Sequence, residues 1–473
     1  MTALSNQERL TFALGLCFVL LVQACIVSSS FYLGTDDWMM LDLGRDTGGV
    51  GSLFERQTTG TPAIRPVSIL LARVEYALFD HAASPRLMGH VFLHGIAAIL
   101  VLMLLLGNGL ERHESILAAL LFAAFPVHAE ALAWYHSGHT TIPVAIFCLL
   151  TLVGHTNKWP IWTTLLCLLT GLLTRESAIV VAPLALWISW RRQPKLSAAI
   201  RDAAPLIAVV ILFVAIRSWQ VVGALTDDSN AFLTVSSNPL LSVGYVLFHL
   251  FIPVHPAIGG AMVWLTIMVL AGLSAAFTGR RLVFATLLWI VICVAPYIPM
   301  YPTGDPLFEP VAASYERRWY YLYLPSLGVA WLFARSVVRH KALAVVSLLL
   351  LLGLQSVNAH WWSSLGAGAH ASFEQLSVLL KKGKPLVFEF NENPIALTEI
   401  VEHQVVDTLR LFPGIAPVPV YRNKPGEKGL LRASRDPFNY PIWMNMDRPD
   451  RIPTDAIWVS WVESEGRFVE GKR

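Results

Sequence analysis

The chain has 473 residues, 55% of them hydrophobic and only 14% charged, with a formal net charge of +3. Soluble domains carry roughly a quarter of their residues charged, so the composition excludes an ordinary soluble protein, and so small and dispersed a positive charge gives no basis for a nucleic-acid partner. The five cysteines (Cys17, Cys25, Cys148, Cys167, Cys293) all lie in apolar runs without a CxxC pair, which excludes a disulfide framework.

In chain order, the first apolar run, 10 to 33, reads as a retained helix because it is too long for a signal peptide and more spans follow. Further runs predict spans at 86–106, 115–126, 140–155, 159–173, 177–190, 203–219, 258–278, 282–301, 319–335 and 342–358. About 20 apolar residues cross a hydrocarbon core of roughly 30 Å as a helix, and lipid leaves no partner for open backbone groups. The expected fold is therefore an all-α polytopic membrane protein with about 11 transmembrane helices. A further segment, 239 to 255, carries His249, Pro253, His255 and Pro256 and is read as dipping in without crossing.

Charge sets the orientation. Arg191, Arg192, Lys195 and Arg201, then Arg280 and Arg281, then Arg335, Arg339 and Lys341 form three basic clusters that belong in the cytoplasm. The N-terminus is then cytoplasmic, and the loop 34–85, the loops 127–139, 174–176, 220–257 and 302–318, and the C-terminus are outside. Loop 34–85 holds an amphipathic stretch with Val67, Leu70, Leu71, Val74 and Leu78 on one side, suited to an interfacial helix. The domains expected are 1–358 in the membrane and 359–473 outside it. In that tail, 385–390, 418–421 and 456–461 read as strands and 395–411 has helical spacing, which predicts a small α/β soluble domain. The absence of an Asn-x-Ser/Thr sequon favours a bacterial inner membrane over a secretory pathway.

The outer segments hold the polar groups. Asp36 and Asp37 follow the first span, and Arg65 opens the amphipathic stretch in Arg65-Pro66-Val67-Ser68. His90 and His94 share one face of the next span, a pairing expected for buried hydrogen bonding rather than metal ligation. Phe125-Pro126-Val127-His128-Ala129-Glu130 follows the third span without a standard zinc spacing. Arg175 and Glu176 interrupt two apolar stretches and could neutralise one another. Glu316, Arg317 and Arg318 precede Trp319, Tyr320, Tyr321 and Tyr323 at the entry to a later span. Arginines in outward segments need a reason, and a lipid-linked phosphate supplies one, because guanidinium matches phosphate with forked, charge-assisted bonds. The carboxylates would then take the proton of an attacking hydroxyl.

This ordered set of motifs resembles the GT-C class of membrane glycosyltransferases, which use polyprenyl- or dolichyl-phosphate sugars. It looks most like the membrane part of the tetratricopeptide-repeat-containing O-mannosyltransferases and their bacterial relatives. The likeness rests on Asp36-Asp37, Arg65-Pro66-Val67-Ser68, His90 with His94, Pro126-Val127-His128-Ala129-Glu130-Ala131, Arg175-Glu176, and Glu316-Arg317 leading to Leu322-Tyr323-Leu324-Pro325-Ser326-Leu327-Gly328. It spans residues 10 to about 335. Arg175-Glu176 departs from the relatives' frequent Lys-Glu, extra aromatics separate Arg318 from Leu322, and the tail shows no repeat array.

By resemblance, the chain is an inverting glycosyltransferase moving a sugar from a polyprenyl phosphate to a glycan, lipid or protein hydroxyl at the outer face, with O-glycosylation the relatives' chemistry. Asp36 is the implied base, with Asp37 its partner or alternative. Arg317 or Arg318 would bind the donor phosphate, with Arg65 and Arg175 as further candidates, and His128, Glu130, Glu176, Glu316 and Tyr323 would line the pocket. No cofactor is firmly implied and no metal site is assigned. A divalent metal is compatible with the acidic and histidine groups, but arginine can supply the same electrostatic stabilisation. Two other readings remain: an oligosaccharide polymerase or ligase using a lipid-diphosphate donor, and a transporter or flippase whose charges line a path.

Overall fold

The computed structural model describes residues 4–28, 49–54, 65–80, 82–193, 195–225, 280–300, 319–384, 386–389, 420–423, 455–462 and 467–471, with isolated positions at 40, 44, 243, 247 and 249–251. Its helices in chain order are α1 (Asn6–Ser28), α2 (Pro66–Phe79), α3 (Ala83–Gly107), α4 (Arg112–Ala123), α5 (His128–Ala133), α6 (Tyr135–Thr156), α7 (Ile161–Thr174), α8 (Val181–Arg192), α9 (Leu196–Leu225), α10 (Arg280–Val294), α11 (Ser326–Val337) and α12 (Lys341–Lys381). The chain divides into two compact units, Met1–Ser29 with Gly48–Leu71 and Ser84–Trp362, and Ser30–Thr47 with Ala72–Ala83 and Ser363–Arg473.

Among the described residues, five helices are long and apolar enough to cross a bilayer: Asn6–Ser28, Ala83–Gly107, Tyr135–Thr156, Leu196–Ser218 and Lys341–His360. The protein is therefore a mostly helical membrane protein. α6 is central, with 89% of its most apolar stretch buried, whereas α1 and α9, at 28% and 22%, turn most of theirs outwards. Leu10, Leu14, Phe18 and Leu21 of α1 and Ile211, Leu212 and Ile216 of α9 are accordingly exposed apolar side chains, as lipid contact requires. On α2, Leu70, Val74 and Leu78 form an exposed stripe at i, i+4 and i+8, the face an interfacial helix needs.

The predicted span 115–126 is displaced by three residues. α4, Arg112–Ala123, has the same length of 12 residues but starts and stops earlier, and its about 18 Å of helix falls short of a core of roughly 30 Å. Pro126 stops it, because a proline disfavours helix at the residue before it. The carbonyls left over are met by side chains from other helices. Gln23 donates to the Ala123 carbonyl (2.8 Å) and to Gln355 Oε1 (2.8 Å), Gln355 to the Phe125 carbonyl (3.1 Å), and Asn358 to the Pro126 carbonyl (3.2 Å). Amides at membrane depth thus join α1, α4 and α12 and hold the turn that carries His128.

Hydrogen bonds sort the helix ends of the first unit into two groups. Glu8 meets Arg112 (3.5 Å), Arg192 meets the carbonyls of Gly107 and Thr156 (2.6 and 2.8 Å), Lys158 meets Asp202 (2.6 Å), and Arg335 meets Glu114 (2.8 Å). These contacts gather the starts of α1, α4, α7 and α9 with the ends of α3, α6, α8 and α11 at a basic end. The opposite, polar end gathers the C-terminal parts of α1, α4, α7 and α9 and the stretch of α12 around Gln355 and Asn358 with the N-terminal parts of α3, α6 and α11.

In the second unit, β1 (Leu386–Glu389), β2 (Val420–Asn423), β3 (Ile457–Val462) and β4 (Arg467–Gly471) form a sheet of order β2-β1-β3-β4. β1 is parallel to β2 and β3, with Leu386 opposite Val420 and Ile457, and β3 is antiparallel to β4. The three predicted strands fall on β1, β2 and β3, whereas the predicted helix 395–411 lies outside the described residues. The last span also runs further than its apolar stretch: α12 continues unbroken past 358 to Lys381. No proline interrupts it, and the stop comes at Gly383, whose φ of +67° ends helices readily, followed by Pro385. Lys382 pairs with Glu470 of β4 within this unit.

Candidate functional site

The polar end holds two clusters of polar side chains, the first buried and the second part-buried. In the first, His94 of α3, His128 at the start of α5, and Tyr323 and Ser326 at the start of α11 meet around Phe122. His94 Nε2 lies 2.9 Å from the Ala123 carbonyl and its Nδ1 faces the Tyr323 hydroxyl. A carbonyl can only accept, so Nε2 carries the proton, and in the neutral ring the tyrosine donates to Nδ1. The Ser326 hydroxyl donates to the Tyr323 carbonyl (2.7 Å) and accepts from His128 Nε2 (2.8 Å). The His128 ring lies 4.3 Å from that of Tyr323 and 4.9 Å from that of His94. Burial, reinforced by His94, holds His128 well below the ordinary histidine range.

His90 and His94 share a helix face but go to different partners. The His90 ring stacks on Tyr135, centroids 5.7 Å apart and planes within 7°. Gly138 makes that approach possible, since a Cβ there would collide with the Ala131 carbonyl and the His90 ring. Arg86, 1% exposed, donates to the Tyr135 hydroxyl at 2.9 Å.

The second cluster is ionic. Glu176, in the 3-10 turn Glu176–Val180 between α7 and α8, places Oε2 at 2.9 Å from Nη2 and 3.2 Å from Nε of Arg65, and Oε1 at 2.7 Å from Nη2 of Arg217. Burial alone would raise this carboxyl, but the Arg65 guanidinium outweighs it, and with Arg217 holds it at about 2. The expectation that Arg175 and Glu176 neutralise each other is corrected: Arg175 has extended backbone (φ −161°, ψ 141°), which sends the two neighbouring side chains to different partners. Arg175 donates to Thr141 and Thr140 (3.0 and 3.3 Å) and lies 5.0 Å above the Tyr321 ring, itself stacked on Tyr297. Ser68 donates to the Thr174 carbonyl and His139 to that of Ser68, both at 2.8 Å, so the start of α2 is tied to the same step.

Of the residues expected from sequence, Arg65, Arg175, Glu176, His128, Glu130 and Tyr323 all belong to this polar end, with Glu130 2% exposed on α5. Asp36, Asp37, Glu316, Arg317 and Arg318 lie outside the described residues. Sequence reasoning missed Arg217, Arg86 and Tyr135. Arg217 had a signal, a cation inside the apolar run 203–219, where ionisable residues are rare unless partnered. Among the described residues, no group of three or more His, Cys, Asp or Glu side chains is placed to hold a metal ion. A scan against models of known protein families and a search of curated proteins find no match for this chain.

Proposed function

We propose that this protein is a GT-C-type glycosyltransferase that moves a sugar from a polyprenyl phosphate to an acceptor hydroxyl at the outer face of a bacterial cell membrane. One observation carries the reading most: Arg65, Arg175, Glu176, His128 and Tyr323, five residues picked from four separate motifs, all lie at one end of one helical unit. Convergence at an end, rather than along a path through the unit, favours an enzyme over a transporter.

In the proposed reaction the acceptor hydroxyl attacks the anomeric carbon, its proton passes to the carboxylate of Asp36 or Asp37, and the bond from that carbon to the phosphate oxygen breaks. The electron pair leaves with the phosphate, and guanidinium groups stabilise its developing charge. Attack opposite the leaving group inverts the anomeric centre. We assign Arg317 or Arg318 to the donor phosphate, with Arg65 and Arg175 as further ligands of the same phosphate, and His128, Glu130 and Tyr323 to the walls.

We further infer eleven crossings, a cytoplasmic N-terminus and an outer α/β tail. Among the described residues, helix ends alternate between the basic and the polar end, which supports this reading. Positive charge at the basic end supports the orientation. The test is reconstituted protein with a defined polyprenyl-phosphate sugar. Asp36→Asn or Asp37→Asn should lower transfer by about 10²-fold or more, and full activity in both variants would remove the assigned base. Substrate flux in sealed vesicles without transfer would favour the flippase.

A further inference from the structure

Two guanidinium groups from helices far apart in sequence converge on one carboxylate at the polar end. Arg65, at the start of α2, offers two nitrogens to Glu176 Oε2, and Arg217, near the end of α9, offers one to Oε1. This is the arrangement in which two arginines grip a phosphate, each oxygen of the anion taken by a different fork. The side chains of Arg65, Arg217 and Glu176 are 20%, 13% and 32% exposed, so the carboxylate is the most open member of the three. It projects from a short 3-10 turn rather than from the middle of a helix, where its backbone would be fixed more firmly.

We infer that Arg65 and Arg217 form one phosphate site, that the Glu176 carboxylate is its built-in occupant, and that the phosphate of a lipid-linked donor competes with it for the two forks. The lipid-linked donor rests on the glycosyltransferase reading, while the anion site rests on the geometry alone. Binding then works by exchange: the phosphate displaces a carboxylate, and Glu176 swings towards solvent. A released carboxylate beside a bound donor would also disfavour an over-charged headgroup, which makes Glu176 a selector as well as an occupant.

The test is binding of farnesyl phosphate to the purified full-length protein in neutral detergent, with farnesol and inorganic phosphate as companion probes. Glu176→Gln removes the competing charge and should tighten farnesyl phosphate about tenfold. Arg217→Gln should weaken it about tenfold, and Arg217→Lys, which keeps the charge but not the fork, should fall between. Farnesol should bind all variants alike. Unchanged or weaker binding in Glu176→Gln, or unchanged binding in Arg217→Gln, would overturn the site and leave the three residues a structural clasp. Arg217→Gln keeps the Arg65–Glu176 pair, so it decides the matter if Glu176→Gln does not fold. Inorganic phosphate binding as tightly as farnesyl phosphate would overturn the lipid as the ligand. Sugar transfer is scored separately. Transfer with unchanged binding ratios removes the site and keeps the enzyme, whereas the expected ratios without transfer from any lipid phosphate keep the site and remove the enzyme.

Discussion

The two ends of the helical unit use charge differently. At the basic end ionic side chains close off helix termini near the rim: Lys158, 60% exposed, pairs with Asp202, and Arg335, 38% exposed, pairs with Glu114. At the polar end they are drawn inward, with Arg86 1% and Arg175 8% exposed and His94 and His128 wholly buried. Water and salt screen the Lys158–Asp202 pair, so it contributes little, whereas Glu114 is itself buried and held by Trp331 as well as Arg335. The second group sits where every donor needs a protein partner, and removing one leaves the other stranded. Polar residues at the basic end locate helices, whereas those at the polar end build an interior.

The sharpest way to break this contrast is Gly138→Ala, which drives a methyl group into the Ala131 carbonyl and the His90 ring. We expect a loss of about 3 kcal/mol, read as a fall in melting temperature in detergent. Stability equal to the original protein would mean that the polar interior is loosely built. Tyr323→Phe comes next, because it strands a buried ring nitrogen of His94. Its expected cost is about 1–3 kcal/mol, and denaturant titration would measure it.

Acid sharpens the comparison further. The Glu176 carboxyl is held at about 2 against an ordinary 4.5, so its contribution is fully present above about 4.5 and lost as pH falls through 2. The melting advantage of the original protein over Glu176→Gln should be flat from pH 7 to pH 5 and shrink below that. An advantage undiminished at pH 2 would contradict the described pairing. The smallest effect belongs to the basic end: Lys158→Ala should cost less than about 1 kcal/mol and less again at high salt. A cost matching that of Tyr323→Phe would erase the distinction between the ends.

Much of this was legible in the chain itself. The apolar runs at 10–33, 86–106 and 140–155 coincide with α1, α3 and α6, because burial in lipid is a property of each segment's own composition. The three strands of the tail were equally local. The polar end was legible as a set of residue types, since Arg65, Arg175, Glu176, His128 and Tyr323 stand in polar interruptions between apolar runs. Their partners were not legible. Arg65 meets Glu176 across 111 positions, and Gln23 meets Gln355 across 332. Nothing in the local pattern around Glu176 favours Arg217 over the adjacent Arg175.

Sequence alone therefore determined which segments are apolar enough to enter lipid and which carry basic or polar groups, because hydrophobic partition acts on each stretch separately. The tertiary structure alone decided that α4 stops early under a roof of amides, that α12 runs on to Lys381, and that Glu176 lies between two arginines rather than beside one. Those outcomes depend on which groups reach one another once the helices are assembled, and in a medium without water every buried donor and acceptor must find its partner there.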